Sequence, residues 1–169
     1  MRKTVSTFGS ISGAVAILSM LVTIPFIRAK ELGTTDVLGY SSMVLSALLV
    51  FFGIRSYREN AGAGRMTFGR GFAVGLLITV VSCAFSVVAF EIIYFKLVPD
   101  FGDLFSACMV ERVRASGGTP AQIENVTQQA LTLKRLYDNP WMNAALTFAT
   151  SFPIGLAGSA ISAAILRRR

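Results

Sequence analysis

Residues 72–98 read FAVGLLITVVSCAFSVVAFEIIYFKLV, an apolar run in which Glu91 and Lys96 are the two charged residues. A helix needs about 20 mostly apolar residues to cross the hydrocarbon core of a bilayer. An isolated strand in lipid would leave its backbone groups unpaired, so a membrane-crossing segment of this kind must be helical. The run therefore predicts a transmembrane helix that overshoots the bilayer or tilts in it.

Three further runs, residues 5–27, 37–54 and 141–166, have the same character. Only 15% of the chain is charged and 53% is hydrophobic, whereas soluble domains are about 25% charged. The first run is too long for a signal-peptide core and no small-x-small cleavage site follows it, so we expect an uncleaved anchor. The sequence predicts a single all-α membrane domain, residues 1–169, folded as an integral membrane four-helix bundle.

Basic residues in the short loops predict the orientation, because they are enriched on the cytoplasmic side. The chain carries a net charge of +7, and one side accounts for all of it. That side has nine basic residues and a single acid: Arg2, Lys3, Arg55, Arg58, Arg65, Arg70, Arg167, Arg168 and Arg169, with Glu59. We therefore expect a multi-pass protein of the bacterial inner membrane with both termini cytoplasmic. The short basic loops favour anionic lipid as their partner, and not nucleic acid.

Residues 99–140 predict an amphipathic helical hairpin on the outer face, between the third and fourth spans. Apolar residues recur every four positions on its first half, and Ser116-Gly117-Gly118 breaks that helix. Thr119, Pro120 and Gln122 have the spacing of a capping box that starts a second helix, which Asn139-Pro140 ends. The apolar stripes are suited to packing on each other, lying on the membrane, or receiving a partner helix.

Small residues four apart mark where spans approach closely in lipid. Three such pairs are candidates for helix packing: Gly9 with Gly13, Gly71 with Gly75, and Gly155 with Ser159. Ser42 and Ser46 repeat the spacing in the second span. The pattern predicts tight packing at the inner leaflet, within one bundle or between two copies.

Glu91 is the ionisable residue inside a span, and such residues are usually functional. Its place near the outer boundary makes Arg28, at the end of the first span, a candidate counter-ion for a structural or functional ion pair. A proton- or cation-handling role and plain exposure to solvent remain the alternatives. Tyr94 and Lys96, just beyond it, are typical interfacial anchors. Pro153 predicts either a kink or the broken helix of a transporter.

No catalytic or metal site emerges from the spacing of the residues. The chain has no histidine, which removes the commonest general base and transition-metal ligand. Cys83 and Cys108 alone do not make a zinc site. The glycine-rich loop at residues 61–71 lacks the lysine followed by serine or threonine that a phosphate-binding loop requires. We expect no enzyme activity, no cofactor and no metal.

Several stretches together resemble a family of small bacterial membrane proteins called domain of unknown function 4199. They lie in the same order along nearly the whole chain: GIRSYR at 53–58, TFGRGFAVG at 67–75, PDF at 99–101, LYDNP at 136–140 and FPIG at 152–155. The resemblance implies a bacterial inner-membrane protein of about four helices. It implies no substrate, cofactor or active residue.

Two functions remain in view. The favoured one is a structural, accessory or interaction protein that binds another membrane protein or forms a homo-oligomer. The alternative is a minimal oligomeric transporter or channel that uses Glu91 and the Pro153 kink. The latter needs a polar cavity at the bilayer centre, where the sequence offers little but hydroxyls: Thr79, Ser82, Ser86, Thr147, Thr150 and Ser151.

Overall fold

The computed structural model describes residues 1–29, 32–61 and 65–167. This part of the chain consists mostly of six α-helices. They are α1 (Arg2–Arg28), α2 (Leu32–Ala61), α3 (Phe68–Ile92), α4 (Phe101–Ala115), α5 (Pro120–Tyr137) and α6 (Pro140–Leu166). The predictions for residues 30–31, for the glycine-rich loop at 62–64 and for the last two residues of the basic tail lie outside the described residues.

Four of the helices are long and apolar enough to cross a membrane. They are Arg2–Arg28, Asp36–Asn60, Phe68–Leu97 and Pro140–Leu166. Three of them contain a predicted apolar run in full, and Phe68–Leu97 ends one residue before the predicted end of its run. The prediction of four spanning helices is therefore confirmed at the level of length and composition.

The helix boundaries follow the predicted capping signals. Gln122 N donates to Thr119 Oγ1 at 3.3 Å, while Thr119 N donates to Gln122 Oε1 at 2.8 Å. This reciprocal pair is a capping box, and it satisfies two backbone donors that the start of α5 leaves free. Gly117 has φ of 78°, a left-handed conformation that glycine adopts without strain. The predicted break between two amphipathic helices is therefore confirmed.

α3 packs against α1, α2 and α6, and glycines allow the close approaches. A Cβ atom built on Gly9 would lie 2.6 Å from Val81, and one on Gly13 would lie 2.5 Å from Phe85. Both glycines are on α1, so any larger residue there would push α1 away from α3.

The contact between α3 and α6 also depends on small residues. A Cβ on Gly75 would lie 2.8 Å from both Ser159 and Ile54, and one on Gly155 would overlap Thr79. A Cβ on Gly71 would lie 2.7 Å from Met66 Cε and 3.3 Å from Ala163 Cβ. Glycine removes the side chain that would otherwise hold the two backbones apart.

The buried apolar core lies at one end of the four long helices, where α2 and α6 end and α3 begins. It consists of Val50, Ile54, Met66, Val74, Ile78 and Leu166. Cavities lie along the middle of the long helices and toward the opposite end, where α4 and α5 are attached.

Candidate functional site

The predicted pair of Glu91 and Arg28 is not formed. Arg28 Nη2 donates to Asp100 Oδ1 at 3.2 Å, while Glu91 Oε1 is buried without a hydrogen-bond partner among the described residues. The reason is that α1 contacts α4, which brings Arg28 to the residue that precedes α4. The half-exposed carboxylate of Asp100 is paired there with little loss of hydration.

α3 continues into a π-helical turn at Ile93–Leu97, in which Val98 N donates to Ile93 O at 2.8 Å. Tyr94 in this turn is 5% exposed, and its hydroxyl donates to Asp138 Oδ1 at 2.7 Å. Tyr94 is therefore a buried link between α3 and the end of α5, which corrects its interpretation as an interfacial anchor. Lys96 in the same turn is exposed. π-Helical turns of this kind are frequent at functional sites.

Five aromatic side chains surround a cavity of about 180 Å³ between the end of α3, α4 and α5, the aromatic pocket. They are Phe90, Tyr94, Phe101, Phe105 and Tyr137. Burial raises the pKa of the Tyr137 phenol. Lys134 also lines the pocket, and its ammonium donates to Asp103, which raises the pKa of Lys134. The pocket is therefore formed by the long helix α3 together with α4 and α5.

Ion pairs attach α4 to the long helices. Arg112 Nη2 donates to Asp36 Oδ1 at 2.6 Å and joins α4 to α2. The Arg28–Asp100 pair joins α1 to the start of α4. Exposed pairs of this kind contribute little stability, at most about 1 kcal/mol each. Their geometric effect is to hold α4 in one position relative to α1 and α2.

A second cavity, of about 280 Å³, lies among α1, α2, α3 and α6. Six hydroxyl groups line this hydroxyl cavity, those of Ser42, Ser46, Thr79, Ser82, Ser86 and Ser151. Ser82 stands in the middle of the 30-residue apolar helix Phe68–Leu97. Ile154 and Gly155 of α6 complete the wall. Pro153 directly precedes them in the sequence. Glu91 and Arg28 are not among the lining residues.

A third cavity, of about 170 Å³, lies between the other two, and we refer to it as the connecting cavity. It shares Gly39 and Ser42 with the hydroxyl cavity, and Phe90 and Phe101 with the aromatic pocket. Sequence reasoning missed Gly39, because a lone glycine near a helix start carries no signal of its own. The four-residue spacing of Ser42 and Ser46 was the available signal for one polar wall.

Within the described residues, no three His, Cys, Asp or Glu side chains are grouped as metal ligands. Cys83 is buried in the wall of the hydroxyl cavity, and Cys108 is buried on α4.

The family model described as "Protein of unknown function (DUF4199)" matches residues 7–168. No curated protein and no solved structure matches the chain. The match spans all six helices, including α4, α5 and the serine-bearing stretches of α2 and α3. The chain therefore belongs to the DUF4199 family of proteins of unknown function.

Proposed function

We propose that this protein is an accessory protein of the bacterial inner membrane without enzymatic activity. In this proposal the four long helices form a transmembrane bundle with both termini in the cytoplasm. α4 and α5 form a hairpin on the extracytoplasmic side, where they present a binding surface to another membrane protein or a second copy.

The distribution of charge supports this orientation. At the end where α2 stops and α3 begins, Arg55 and Arg58 pair with the single acid Glu59, and the exposed Arg65 and Arg70 follow. A basic end of this kind is typical of the cytoplasmic side. At the α4–α5 end the acids are as numerous as the bases, and several of them form ion pairs: Arg28–Asp100, Arg112–Asp36 and Lys134–Asp103.

The observation that carries the proposal is that α4 and α5 keep apolar side chains exposed. The two helices are held by their ion pairs and by the buried Tyr94–Asp138 hydrogen bond, so their exposed faces have a defined orientation. Leu131 is nevertheless 43% exposed, Leu136 37% and Phe105 41%. Apolar side chains that stay exposed on a well-anchored pair of helices are suited to a partner.

The test is site-specific photo-crosslinking in cells at native expression level. A photoreactive residue at position 131 should crosslink to one defined membrane protein or to a second copy. The same residue at position 129, an exposed glutamine roughly 160° away around the axis of the same helix, should give at most a tenth of that product. Val110→Asp, on α4 in the groove that Leu131 also lines, should abolish the product from position 131, because a carboxylate in an apolar contact loses its hydration. A protein that extracts as a monomer with no specific crosslink from position 131 would contradict the accessory role.

Transport or channel activity is the second candidate, and the hydroxyl cavity is the observation that favours it. Such a function needs polar groups at the bilayer centre, and Ser82 and its neighbours supply them. Because Glu91 does not line this cavity, Glu91→Gln should leave any flux in proteoliposomes unchanged, whereas Ser82→Val should reduce it. Loss of flux in Glu91→Gln with full flux in Ser82→Val would exclude the hydroxyl cavity as the path.

A further inference from the structure

The serine hydroxyls of the hydroxyl cavity lack protein partners. Ser42, Ser46, Ser82, Ser86 and Ser151 make no hydrogen bond with any residue in the described part of the chain, and Thr79 has Ser159 at 3.3 Å. Ser82 is only 9% exposed, and the other four serines are partly buried. A buried hydroxyl without a partner is unfavourable, and native proteins nearly always satisfy such a group with protein, water or ligand.

Several hydroxyl groups elsewhere in these helices behave differently, although the buried Ser12 hydroxyl on α1 also lacks a partner among the described residues. Thr23, Thr150 and Ser159 each donate to the carbonyl oxygen four residues earlier, at 2.7 to 2.9 Å. This internal bond is the usual way in which a helix satisfies a hydroxyl in lipid. The serines of the cavity do not make it, so their hydroxyls remain available to whatever fills the space.

The chemistry of the wall defines what that occupant is. No charged side chain lines the cavity within the described residues, and a charged ligand at the bilayer centre without a counter-charge is costly. A hydroxyl both donates and accepts hydrogen bonds. The volume of about 280 Å³ is several times the ~30 Å³ that one water molecule occupies in the liquid.

The geometry points to a binding site for a small uncharged solute with both hydrogen-bond donors and acceptors, a primary amide or a polyol, held by the serines of α2, α3 and α6. This solute enters from the α4–α5 end through the connecting cavity, past Gly39. Gly39 lines both cavities, and a Cβ built on it meets nothing within 4 Å. The site is separate from the exposed α4–α5 surface and does not depend on the accessory role.

Cys83 is a native reporter for this cavity, because its thiol is part of the wall. The test measures alkylation of Cys83 in membranes that contain the full chain, with iodoacetamide as the neutral amide reagent and iodoacetate as its charged counterpart. Peptide mass spectrometry distinguishes Cys83 from Cys108 on α4. After each rate is normalised to the reaction with glutathione, iodoacetamide should modify Cys83 at least tenfold faster than iodoacetate. Equal normalised rates, or no modification by iodoacetamide, would overturn the proposal.

Competition identifies the ligand class. Unreactive acetamide or glycerol should slow the alkylation of Cys83 in a saturable manner and leave Cys108 unaffected, while acetate should have no effect. If only acetamide protects Cys83, the site binds amides. If only glycerol protects it, the site binds polyols. Absence of saturable protection by both would overturn the site.

Variants in the serine wall test the hydrogen bonds. The double change Ser46→Ala with Ser82→Ala should weaken the protection about tenfold while Cys83 still reacts. Ser41→Ala, on the exposed side of α2, should leave the protection unchanged. Unaltered protection in the double variant would mean that the serines do not hold the solute.

Blocking Gly39 tests the path of entry. Gly39→Leu should slow alkylation of Cys83 at least fivefold, because the new side chain occupies the junction of two cavities. It should still fold, since leucine favours helix more than glycine does. Gly69→Leu is the matched control, because its Cβ also meets nothing within 4 Å and it lines none of the three cavities. An unchanged rate in Gly39→Leu would overturn entry from the α4–α5 end and indicate entry from the lipid.

Discussion

The two ends of the long helices use small residues to opposite effect. At the end with the buried core, glycines face large side chains that fill their space, as Gly53 faces Ile78 and Gly75 faces Ile54. Toward the α4–α5 end, small residues of different helices line a common space, as Ser42 and Ser46 on α2 and Ser82 on α3 do in the hydroxyl cavity. Small residues therefore permit a tight interface where a large side chain fills the space beside them and leave a cavity where none does.

The largest effect on stability should come from shortening a side chain in the buried core. Ile54 is fully buried in the core cluster, so Ile54→Ala should lower the free energy of unfolding by about 3 kcal/mol. The reason is that an empty space in lipid-embedded protein loses the same dispersion contacts as in a soluble core. Equilibrium unfolding in bicelles measures this value. A loss below about 1 kcal/mol would show that this end is not tightly packed.

Adding a side chain at the contact between α3 and α6 should have the next largest effect on stability. Gly75→Leu should lower the free energy of unfolding by about 2 kcal/mol, because overpacking forces α3 and α6 apart. Ser159, which lies 2.8 Å from the position of the added Cβ, offers a check. Ser159→Gly should recover part of the stability in the Gly75→Leu background. No recovery would mean that Ile54, at the same distance, accounts for the whole effect.

A glycine-to-leucine substitution toward the α4–α5 end should have almost no effect on stability. Gly39→Leu should change the free energy of unfolding by no more than about 0.5 kcal/mol, the range of substitutions that meet no neighbour. Equilibrium unfolding in the bicelles used for Gly75→Leu measures this change. A loss comparable to that of Gly75→Leu would remove the contrast between the two ends.

The smallest effect concerns pH at the aromatic pocket. The pKa values of Lys134 and Tyr137 are raised above their ordinary values of 10.5 and 10.0, through the Asp103 hydrogen bond and through burial. Both groups hold their proton more tightly when folded, so the stability they give is complete below pH 10 and falls as the pH rises through the raised values. Amide hydrogen exchange in α5 should therefore lose protection above pH 10, beyond the intrinsic base-catalysed rate, while α3 stays protected.

A variant identifies the group responsible for that loss. Tyr137→Phe removes one ionisation and should reduce the alkaline loss of protection in α5. If α3 and α5 lost protection together, the effect would be global unfolding and not a local weakening of the pocket.

The spans and the capping of α5 were predictable because each depends on neighbouring residues in the sequence. Thr119 and Gln122 cap a helix through local bonds, whatever else the chain does. The small-residue positions were predictable as close contacts, but not the large residues opposite them. Which side chain meets Gly13 depends on the relative rotation and depth of two helices, and periodicity does not encode these quantities.

The candidate site was less predictable for the same reason. The partner of Arg28 depends on how closely α4 follows the end of α1, which sets Asp100 beside it. Sequence reasoning named several hydroxyls as polar material in the spans. It did not predict that Ser42 and Ser46 line the same cavity as those hydroxyls, because four helices form the cavity and its lining depends on how they pack.

The π-helical turn at Ile93–Leu97 changes the phase of the third long helix. A π turn uses about one residue more than an α turn, so side chains within it are displaced around the helix axis from where an unbroken α-helix would set them. The part of the helix before the turn packs against α1 and α6, whereas Tyr94 within the turn reaches Asp138 at the end of α5. The end of the helix thereby contacts a different set of neighbours from the rest of its length.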